Sequence, residues 1–353
     1  MAHQADQPQK RTRRSSSSKA LIWDIAREAG ISIATVSRAL NGKAEVAPAT
    51  RETILRIAQT KGYISGKQAH SLVGRRLIGF TVPEVRSPYF VEIMQGAAEA
   101  LDTYEASLVL CPTEYQSERE RSLLQRLLHN GVDGALLLFP SESTAELLQL
   151  QQSSYPFVVI SPAFAVPDPL LVVTATDMAG GRQATEHLLS LGHRRIGIIT
   201  GPSDWCATID RLAGYYAVLA SAGMAVDPAL TVRADFTVEG GLQAARWLLD
   251  LPDPPTAIFA LNDDMAVGTL RAAEERGLCV PEDISIIGFD DALFASYTTP
   301  ALTSVRQPLR ELGRAGVVLL FRKMQGPNIE ARRIELSTQL MVRRSTGPAP
   351  EHR

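Results

Sequence analysis

Near the start of the chain, apolar residues recur at intervals of three and four on either side of a glycine, which predicts two short helices. The positions that share this spacing are Ile25, Ala26, Ala29, Val36, Ala39 and Leu40. Between the two runs, Gly30 tolerates the positive φ of a tight turn, and Ser32 is a good N-cap for the second helix. We therefore expect a helix-turn-helix over residues 24–40.

The second helix has an outward face of the kind that meets base edges in a DNA groove. Its candidate DNA-contacting residues are Ser32, Ile33, Ala34, Thr35, Ser37, Arg38 and Asn41. Arg38 is the only long charged side chain on that face, so phosphate contacts and other segments must supply much of the affinity. Taken alone, the pattern also fits two amphipathic helices that belong to a larger core.

A third helix follows, because Pro48 suits a first helical turn and Ile54, Ile57 and Ala58 form an inner stripe. Ala47 precedes it where a polar cap would stabilise the helix by about 1 kcal/mol.

From residue 77 onward, apolar runs alternate with amphipathic segments, a pattern typical of parallel α/β sheets. The runs that predict strands are 77–82, 107–112, 134–139, 157–161, 195–200, 256–261 and 285–289. Two similar segments, RRLIGF at 75–80 and RRIGII at 194–199, each begin a series of predicted strands and helices. We therefore expect two similar lobes.

The charge of the chain is divided unevenly, although the formal total is only −2. Residues 1–76 hold 14 lysines and arginines against five acidic residues, a charge of +9, which leaves −11 for the remainder. A basic head on an acidic body is typical of a nucleic-acid-binding segment joined to a regulatory domain.

Other features exclude several classes of protein. The three cysteines are widely spaced and suggest neither a disulfide framework nor a metal site. No signal peptide and no membrane-spanning run is expected, which favours a cytoplasmic protein. No nucleophile elbow, P-loop or zinc-protease motif is present, so we expect no enzyme and no cofactor.

Polar residues follow several of the predicted strands, where ligands bind in open α/β sheets. Asn262, Asp263 and Asp264 follow one strand, and Asp290 and Asp291 follow another. Carboxylates and amides at such an edge suit a ligand with many hydroxyl groups.

Several motifs together resemble the lactose-repressor (LacI/GalR) family across nearly the whole chain. AGISIATVSRALNG at 29–42 and VAPATRETI at 46–54 are similar to the family's opening. The body carries IDRLAGYYAVL at 209–219, LNDDMAVG at 261–268 and IIGFDD at 286–291. The resemblance implies a small helical head and a periplasmic-binding-protein type I body, with the chain crossing between two lobes three times.

The resemblance also implies the division of the chain. The expected segments are a disordered basic tail (1–19), a helix-turn-helix domain (20–63), a hinge helix or linker (64–76), a two-lobed effector-binding and dimerisation domain (77–345) and a frayed tail (346–353). In the family the hinge enters the minor groove of the operator, and Leu72 matches the residue that wedges between base pairs. Ser65, Gly66 and His70 depart from the family pattern, and Gly66 lowers the helix propensity of the hinge.

The resemblance further implies a ligand cleft between the lobes. The candidate effector-binding residues are Ser87, Phe90, Ser161, Arg211, Phe236, Asn262, Asp290 and Gln307. Ser161 stands where some sugar-responsive members have aspartate, which leaves the sugar open. Trp205 is either a second stacking ring or a loop residue, and Arg211 is either a cleft residue or a partner of a surface acid.

These features predict a homodimeric transcriptional repressor that binds a roughly palindromic operator and responds to a small carbohydrate or its derivative. A purine or nucleoside is the second effector class. The alternative function is a soluble sugar-binding protein without specific DNA binding, which the body alone would allow. Whether the effector releases or promotes DNA binding is left open.

Overall fold

The computed structural model describes residues 17–40, 45–61, 76–129, 131–141, 143–153, 155–326 and 331–351. The chain divides into two compact units, a head at Met1–Arg75 and a body at Arg76–Arg353. The head is helical and the body contains all the strands of the described residues. The predicted hinge, including Leu72, lies outside the described residues.

The described part of the head consists of three helices around one small core. They are α1 (Ser17–Ala29), α2 (Ile33–Leu40) and α3 (Pro48–Thr60). Ile25, Val36 and Ile54 are fully buried where the three helices meet, which confirms the predicted apolar stripes. Helix α1 begins at Ser17, so it includes the last three residues of the segment expected to be disordered.

The first lobe of the body is a six-stranded parallel sheet with helices packed on it. Its strands are β1 (Arg76–Val82), β2 (Ala106–Pro112), β3 (Gly134–Leu138), β4 (Phe157–Ile160), β5 (Val172–Ala175) and β11 (Arg333–Leu336). Their order is β11-β5-β4-β3-β1-β2. Its helices are α4 (Pro88–Thr103), α5 (Ser117–His129), α6 (Thr144–Gln152) and α11 (Leu309–Gln325).

The second lobe repeats this design. Its strands are β6 (Ile196–Thr200), β7 (Thr231–Arg233), β8 (Ala257–Ala260), β9 (Ser285–Asp290), β10 (Thr303–Arg306) and β12 (Gln339–Met341). Their order is β12-β10-β9-β8-β6-β7, and only β12 is antiparallel to its neighbour. Its helices are α7 (Asp177–Ser190), α8 (Cys206–Ser221), α9 (Val238–Leu249) and α10 (Asp263–Glu275).

The chain crosses between the lobes three times, as expected. The crossings run from β5 to α7, from β10 to α11 and from β11 to β12. Each lobe has its own apolar core, with Phe80 and Leu136 buried in the first and Phe259 and Phe289 buried in the second. The two lobes are therefore separate packing units that share three connections.

The C-terminal segment differs from the frayed tail that the sequence suggested. The amide of Ala349 donates to the carbonyl of Leu191 at 2.8 Å, and the amide of Gly347 donates to Ser285 Oγ at 3.0 Å. His193 Nε2 lies 3.1 Å from the Gly347 carbonyl. These hydrogen bonds fasten residues 347–349 to the second lobe.

Candidate functional site

Helix α2 begins where the sequence predicts because Ser32 caps it. Ser32 Oγ accepts the Thr35 amide at 3.1 Å, and the Ser32 carbonyl accepts the Val36 amide at 3.0 Å. The two side-chain oxygens of Ser32 and Thr35 are also 2.8 Å apart. These bonds satisfy amides that would otherwise be unpaired in the first turn.

The outer face of α2 is partly as expected. Ala34 is exposed, and the Arg38 side chain is 58% exposed beside Glu45, at an N–O distance of 3.7 Å. Ile33 differs, since it is half-buried and packs against the head core. The reason is its position one turn before Val36, which places both on one side of the helix. Ser37 is half-buried, and Asn41 lies outside the described residues.

In the body, the two lobes meet at the carboxyl ends of their parallel strands. Phe139 follows β3 in the first lobe, and its ring centroid lies 4.7 Å from that of Trp205 in the second. The amide of Cys206 donates to the carbonyl of Ala163 across the same boundary at 2.8 Å. We call the region between these strand ends the interlobe cleft.

Close packing of α7 against α8 positions the arginine of this cleft. A Cβ at Gly181 would lie 2.3 Å from the Arg211 carbonyl oxygen, and one at Gly214 would lie 2.3 Å from the Met178 carbonyl oxygen. Only glycine allows the two helix backbones to approach so closely. The glycines thereby determine where Arg211 enters the cleft.

Arg211 is buried, with 4% of its surface exposed, and uses its guanidinium in four directions. Nε donates to Asp177 Oδ1 at 2.8 Å, and Nη1 donates to the Leu261 carbonyl at 2.5 Å. Nη2 lies 3.5 Å from Asp290 Oδ1, and the guanidinium carbon lies 3.8 Å from the Phe289 ring centroid. The alternative of a surface ion pair is therefore wrong.

Asp290 ends β9 with a positive φ of 106°, a conformation that non-glycine residues rarely adopt. Burial raises the pKa of its carboxyl to about 7, although Arg211 and a hydrogen bond from Gln307 act in the opposite direction. Asp177 and Asp264 raise the pKa further through charge repulsion. A carboxyl with such a pKa changes its charge near neutral pH.

Gln307 lies between β10 and α11, on one of the crossings between the lobes. It is buried, and its Nε2 donates to Asp290 Oδ1 at 2.7 Å. Its amide donates to the Asp290 carbonyl at 3.3 Å. Asp290 therefore bonds directly to this crossing.

Asn262 is held by the protein itself. Its Oδ1 accepts the Met265 amide at 2.9 Å and caps α10, while its Nδ2 donates to the Phe236 carbonyl at 3.0 Å. These bonds leave one amide hydrogen for a ligand, so Asn262 is mainly a positioning residue.

A row of aromatic rings crosses the cleft. Phe236 stacks on Trp205 with ring centroids 5.4 Å apart. The Phe139 ring lies between those of Trp205 and Phe90, and its centroid is 6.0 Å from that of Phe90. Phe236 has a positive φ of 63°, and a Cβ at Gly201 would lie 2.0 Å from its ring. One face of the Phe236 ring is thus occupied by Trp205, which makes Trp205 part of the same wall.

The first lobe contributes the remaining predicted residues. Ser87 occupies the N-cap position of α4 without a capping side-chain bond, and Phe90 is buried in the lobe core. Ser161 is half-buried with a positive φ of 45°. Beside them, burial and Asp290 raise the pKa of the Tyr89 hydroxyl, which hydrogen-bonds with Ser161. The charge of Asp290 in the second lobe therefore acts on Tyr89 of the first lobe.

Comparison with known proteins agrees with this geometry. Residues 21–65 match the model of bacterial regulatory proteins of the lacI family, and residues 185–346 match a periplasmic binding protein-like domain. The repressor CytR of Escherichia coli (strain K12) is 34% identical over 336 residues, covering 94% of this chain and 97% of that protein.

The chain belongs to the lacI family of bacterial regulatory proteins. Like the relatives it matches, this LacI-family protein is a transcriptional regulator and not an enzyme.

Solved structures of LacI-family regulators share its fold. A complex of the regulator CelR with cellobiose has a TM-score of 0.70 at 36% identity, and covers 92% of this chain and 99% of that chain. The lac repressor dimer bound to operator and the anti-inducer ONPF has a TM-score of 0.71 at 28% identity, and covers 92% and 98%.

The cleft of this LacI-family regulator includes residues that sequence reasoning missed. Asp177 follows β5, a strand of four residues that was not predicted, so its place at a strand end was hidden. Phe139 was assigned to a strand, whereas it follows β3 with a positive φ of 50°. Tyr89 had a visible signal, since it lies between the predicted Ser87 and Phe90.

Two acids beside the cleft have structural partners. Asp263 accepts from Ser304 Oγ at 2.6 Å and from the Ala292 amide at 2.7 Å, and is fully buried. Asp291 forms ion pairs with Arg306 at 2.7 Å and with Arg343 at 2.6 Å, so it is not simply solvated. Both acids fasten the chain that follows β9.

His193 fulfils the turn-positioning role predicted for it. Its ring nitrogens lie 2.9 Å from Thr256 Oγ1 and 3.0 Å from Ser285 Oγ, and burial lowers its pKa.

Across the described part of the LacI-family chain, none of the helices combines the length and apolar character needed to cross a membrane.

Proposed function

We propose that this regulator is a homodimeric repressor that binds a two-fold operator in the cytoplasm and is controlled by a small polyhydroxylated effector in the interlobe cleft. The observation that carries the proposal is the buried set of Arg211, Asp290 and Gln307, in a cleft where the Phe139 and Trp205 rings meet across the lobes. Buried polar groups of this kind, beside aromatic rings, orient hydroxyl groups and cover an apolar ring face.

The DNA-binding half of the proposal rests on α2. Its exposed Ala34 and Arg38 suit contacts with a thymine methyl and with a guanine edge, respectively. The charge of +9 over residues 1–76 supplies attraction to phosphates without specificity. Asn41 and Leu72 complete the proposed interface as predictions from sequence.

The effector half rests on what hydroxyl groups need. Asp290 can accept a hydrogen bond, Tyr89 can donate one, and Trp205 offers a flat ring. CelR binds cellobiose in its solved complex, and a regulator from Enterococcus faecium that is 31% identical has bound ribose. A mono- or disaccharide is therefore the first effector class to test, and a nucleoside is the second.

Coupling between the halves requires that the effector bind one arrangement of the lobes more tightly than another. Gln307 lies on a crossing and bonds to Asp290, so a ligand at Asp290 acts on the connection between the lobes. A change in the angle between the first lobes of a dimer would then alter the spacing of the two heads.

The dimer itself is suggested by two features. The matched lac repressor structure is a dimer on its operator, and a two-fold protein requires a two-fold site. In the body, Leu293 and Tyr297 are 66% and 75% exposed around the 3-10 helix Leu293–Ser296. These two side chains are therefore the candidates for the dimer interface, because a contiguous exposed apolar patch marks an interaction surface.

Two assays test the function together. An operator fragment is first recovered by gel shift with genomic DNA, and a sugar and nucleoside panel is then screened by thermal shift, because a ligand of the native state raises its stability. We expect at least one panel member to stabilise the protein and to change operator affinity. If no fragment is retarded at low salt, the chain is a sugar-binding protein without specific DNA binding.

Three variants separate the two halves. Arg211→Ala and Asp290→Asn should bind operator normally and ignore the effector, whereas Leu72→Ala should weaken operator binding and keep effector affinity. Normal effector release in both cleft variants would overturn the site assignment. Unchanged operator affinity in Leu72→Ala would overturn the assignment of the wedge.

A further inference from the structure

We propose that the effector carries no negative charge, so that the regulator responds to an unphosphorylated, non-acidic sugar and rejects its phosphate ester. The inference rests on the proposed function and narrows its effector class. It follows from the balance of charges in the interlobe cleft, where Arg211 stands among several carboxylates.

The guanidinium of Arg211 is already engaged by acidic and carbonyl groups of the protein, which use up to three of its five N–H donors. Asp177 and Asp290 lie 2.8 Å and 3.5 Å from it, the Leu261 carbonyl takes a third N–H, and one face lies on the Phe289 ring. A phosphate is normally bound by an arginine fork or a lysine that it can neutralise. Here the single positive charge already faces two carboxylates.

The next arginines along the cleft are also engaged. Arg306 and Arg343 both pair with Asp291, at 2.7 Å and 2.6 Å. Arg86 is exposed in the loop before Ser87. It is the arginine nearest in sequence to the first-lobe candidates Ser87 and Phe90, which makes it a suitable control.

Carboxylates continue from the floor of the cleft toward its edge. Glu84 follows β1 in the first lobe, and Asp264 lies in the first turn of α10 in the second. Burial raises the pKa of the Asp264 carboxyl, and the charge of Glu84 raises it further. Tyr115 links to this pair, since its hydroxyl donates to Glu84 Oε1 at 3.5 Å. An entering phosphate would face these like charges from both lobes.

An uncharged sugar meets no such opposition. Its hydroxyl groups can donate to Asp290 and accept from Tyr89, and an apolar face can lie against Trp205. A phosphate group added to the same sugar would replace a neutral donor by an anion in a negative, partly buried site. Both desolvation and repulsion then oppose its binding.

The first experiment compares matched ligands on the full-length protein. D-Ribose is paired with ribose 5-phosphate, D-glucose with glucose 6-phosphate and with glucuronate, and cytidine with its monophosphate, each followed by thermal shift and calorimetry. We expect every pair that binds to favour the neutral member by at least about tenfold. A charged member that binds as tightly as its neutral partner overturns the proposal.

Two variants distinguish charge from steric exclusion. Glu84→Gln removes one carboxylate from the edge, so it should reduce the preference for the neutral member, whereas a steric barrier would leave the ratio unchanged. Arg86→Gln should not alter the ratio. A phosphate affinity that depends on Arg86 and exceeds that of the neutral sugar would contradict the inference.

A second measurement tests, in the absence of effector, whether the electrostatic potential around Trp205 in the cleft is negative. Trp23→Phe with Trp247→Phe leaves Trp205 as the single tryptophan, since the chain has three. Its fluorescence is quenched with iodide and with caesium, each normalised to a free tryptophan amide at the same ionic strength. We expect iodide to quench at roughly half the efficiency of caesium or less, because a negative field excludes anions.

Equal or stronger quenching by iodide would overturn the proposal. The two measurements also separate it from the proposed function. If no sugar or nucleoside of the panel binds, the proposed effector class fails, and the quenching ratio still shows whether the cleft repels anions.

Discussion

Asp290 concentrates the chemistry of the body in one carboxyl group. Its pKa in the folded protein is about 7, whereas an unfolded aspartate titrates near 3.9. Between these values the folded state binds more protons than the unfolded state, so the stability that Asp290 contributes is lost as the pH rises through 7. Ionisation of the buried Asp290 thus costs stability at neutral and alkaline pH.

We predict that Asp290→Asn reduces the loss of stability between pH 5 and pH 8. The full shift of about three pKa units corresponds to up to about 4 kcal/mol, of which up to about 3 kcal/mol is lost between pH 5 and pH 8, and the amide cannot ionise. Urea unfolding of both proteins at the two pH values measures the difference. Asp102→Asn, on an exposed position of α4, is the control and should follow the wild type. Identical pH dependence in all three proteins would contradict the role of Asp290.

Individual site residues were predictable from sequence where the motif itself specified the position. Arg211, Asp290 and Gln307 belong to recognisable sequence motifs, and the structure joins them by one ion pair and one hydrogen bond. Asp177 and Phe139 were not predictable in the same way. Their roles depend on where a short strand ends and on a positive φ, and neither leaves a periodic pattern.

At the scale of elements, the recognition helix depends on one hydroxyl. Ser32→Ala removes the acceptor of the Thr35 amide and should destabilise α2 by about 1 kcal/mol, which would weaken operator binding about fivefold. Hydrogen exchange of the α2 amides without DNA should rise in parallel. Ser32→Thr keeps the hydroxyl and should restore the protection. If exchange is unchanged while affinity falls, Ser32 acts as a DNA contact and not as a cap.

The crossing of α7 and α8 gives a second test of an element. Gly181→Ala places a methyl group 2.3 Å from the Arg211 carbonyl, so the helices must separate at a cost of about 1–3 kcal/mol. Effector affinity should fall because Arg211 moves, while operator affinity in the absence of effector should remain. The control is Gly326→Ala, where a Cβ would meet no atom within 4 Å. Unchanged effector affinity in Gly181→Ala would contradict the positioning role of this crossing.

The elements themselves were predictable to different degrees. Buried runs such as GALLLF specified strands, because a strand covered on both faces is continuously apolar. Strands β7 and β12 have three residues each and only half-buried or exposed side chains, so they carry no comparable signal. Hydrogen bonds from the backbone amides of residues 347–349 hold this segment on the second lobe. The pattern of side chains in the sequence does not predict such bonds.

At the scale of the whole molecule, the strand order explains how one ligand can act on both lobes. The sheet of each lobe includes a strand contributed after a crossing, β11 in the first and β12 in the second. Neither lobe can therefore complete its sheet independently of the other. A ligand that holds Asp290 and Tyr89 together acts on two units already joined at three points.

The proposed dimer can be tested at Tyr297 of the second lobe. Tyr297 is 75% exposed and makes no contribution to the lobe core, so Tyr297→Glu should leave folding intact. A charge in an apolar interface should shift the protein to monomers in sedimentation velocity and weaken operator binding, because each half-site would then bind one head. Val226→Glu, also on an exposed apolar position of the second lobe, should remain dimeric. If the Tyr297→Glu protein remains a dimer, the interface lies on another surface. If it is a monomer with full operator affinity, operator binding does not require the dimer.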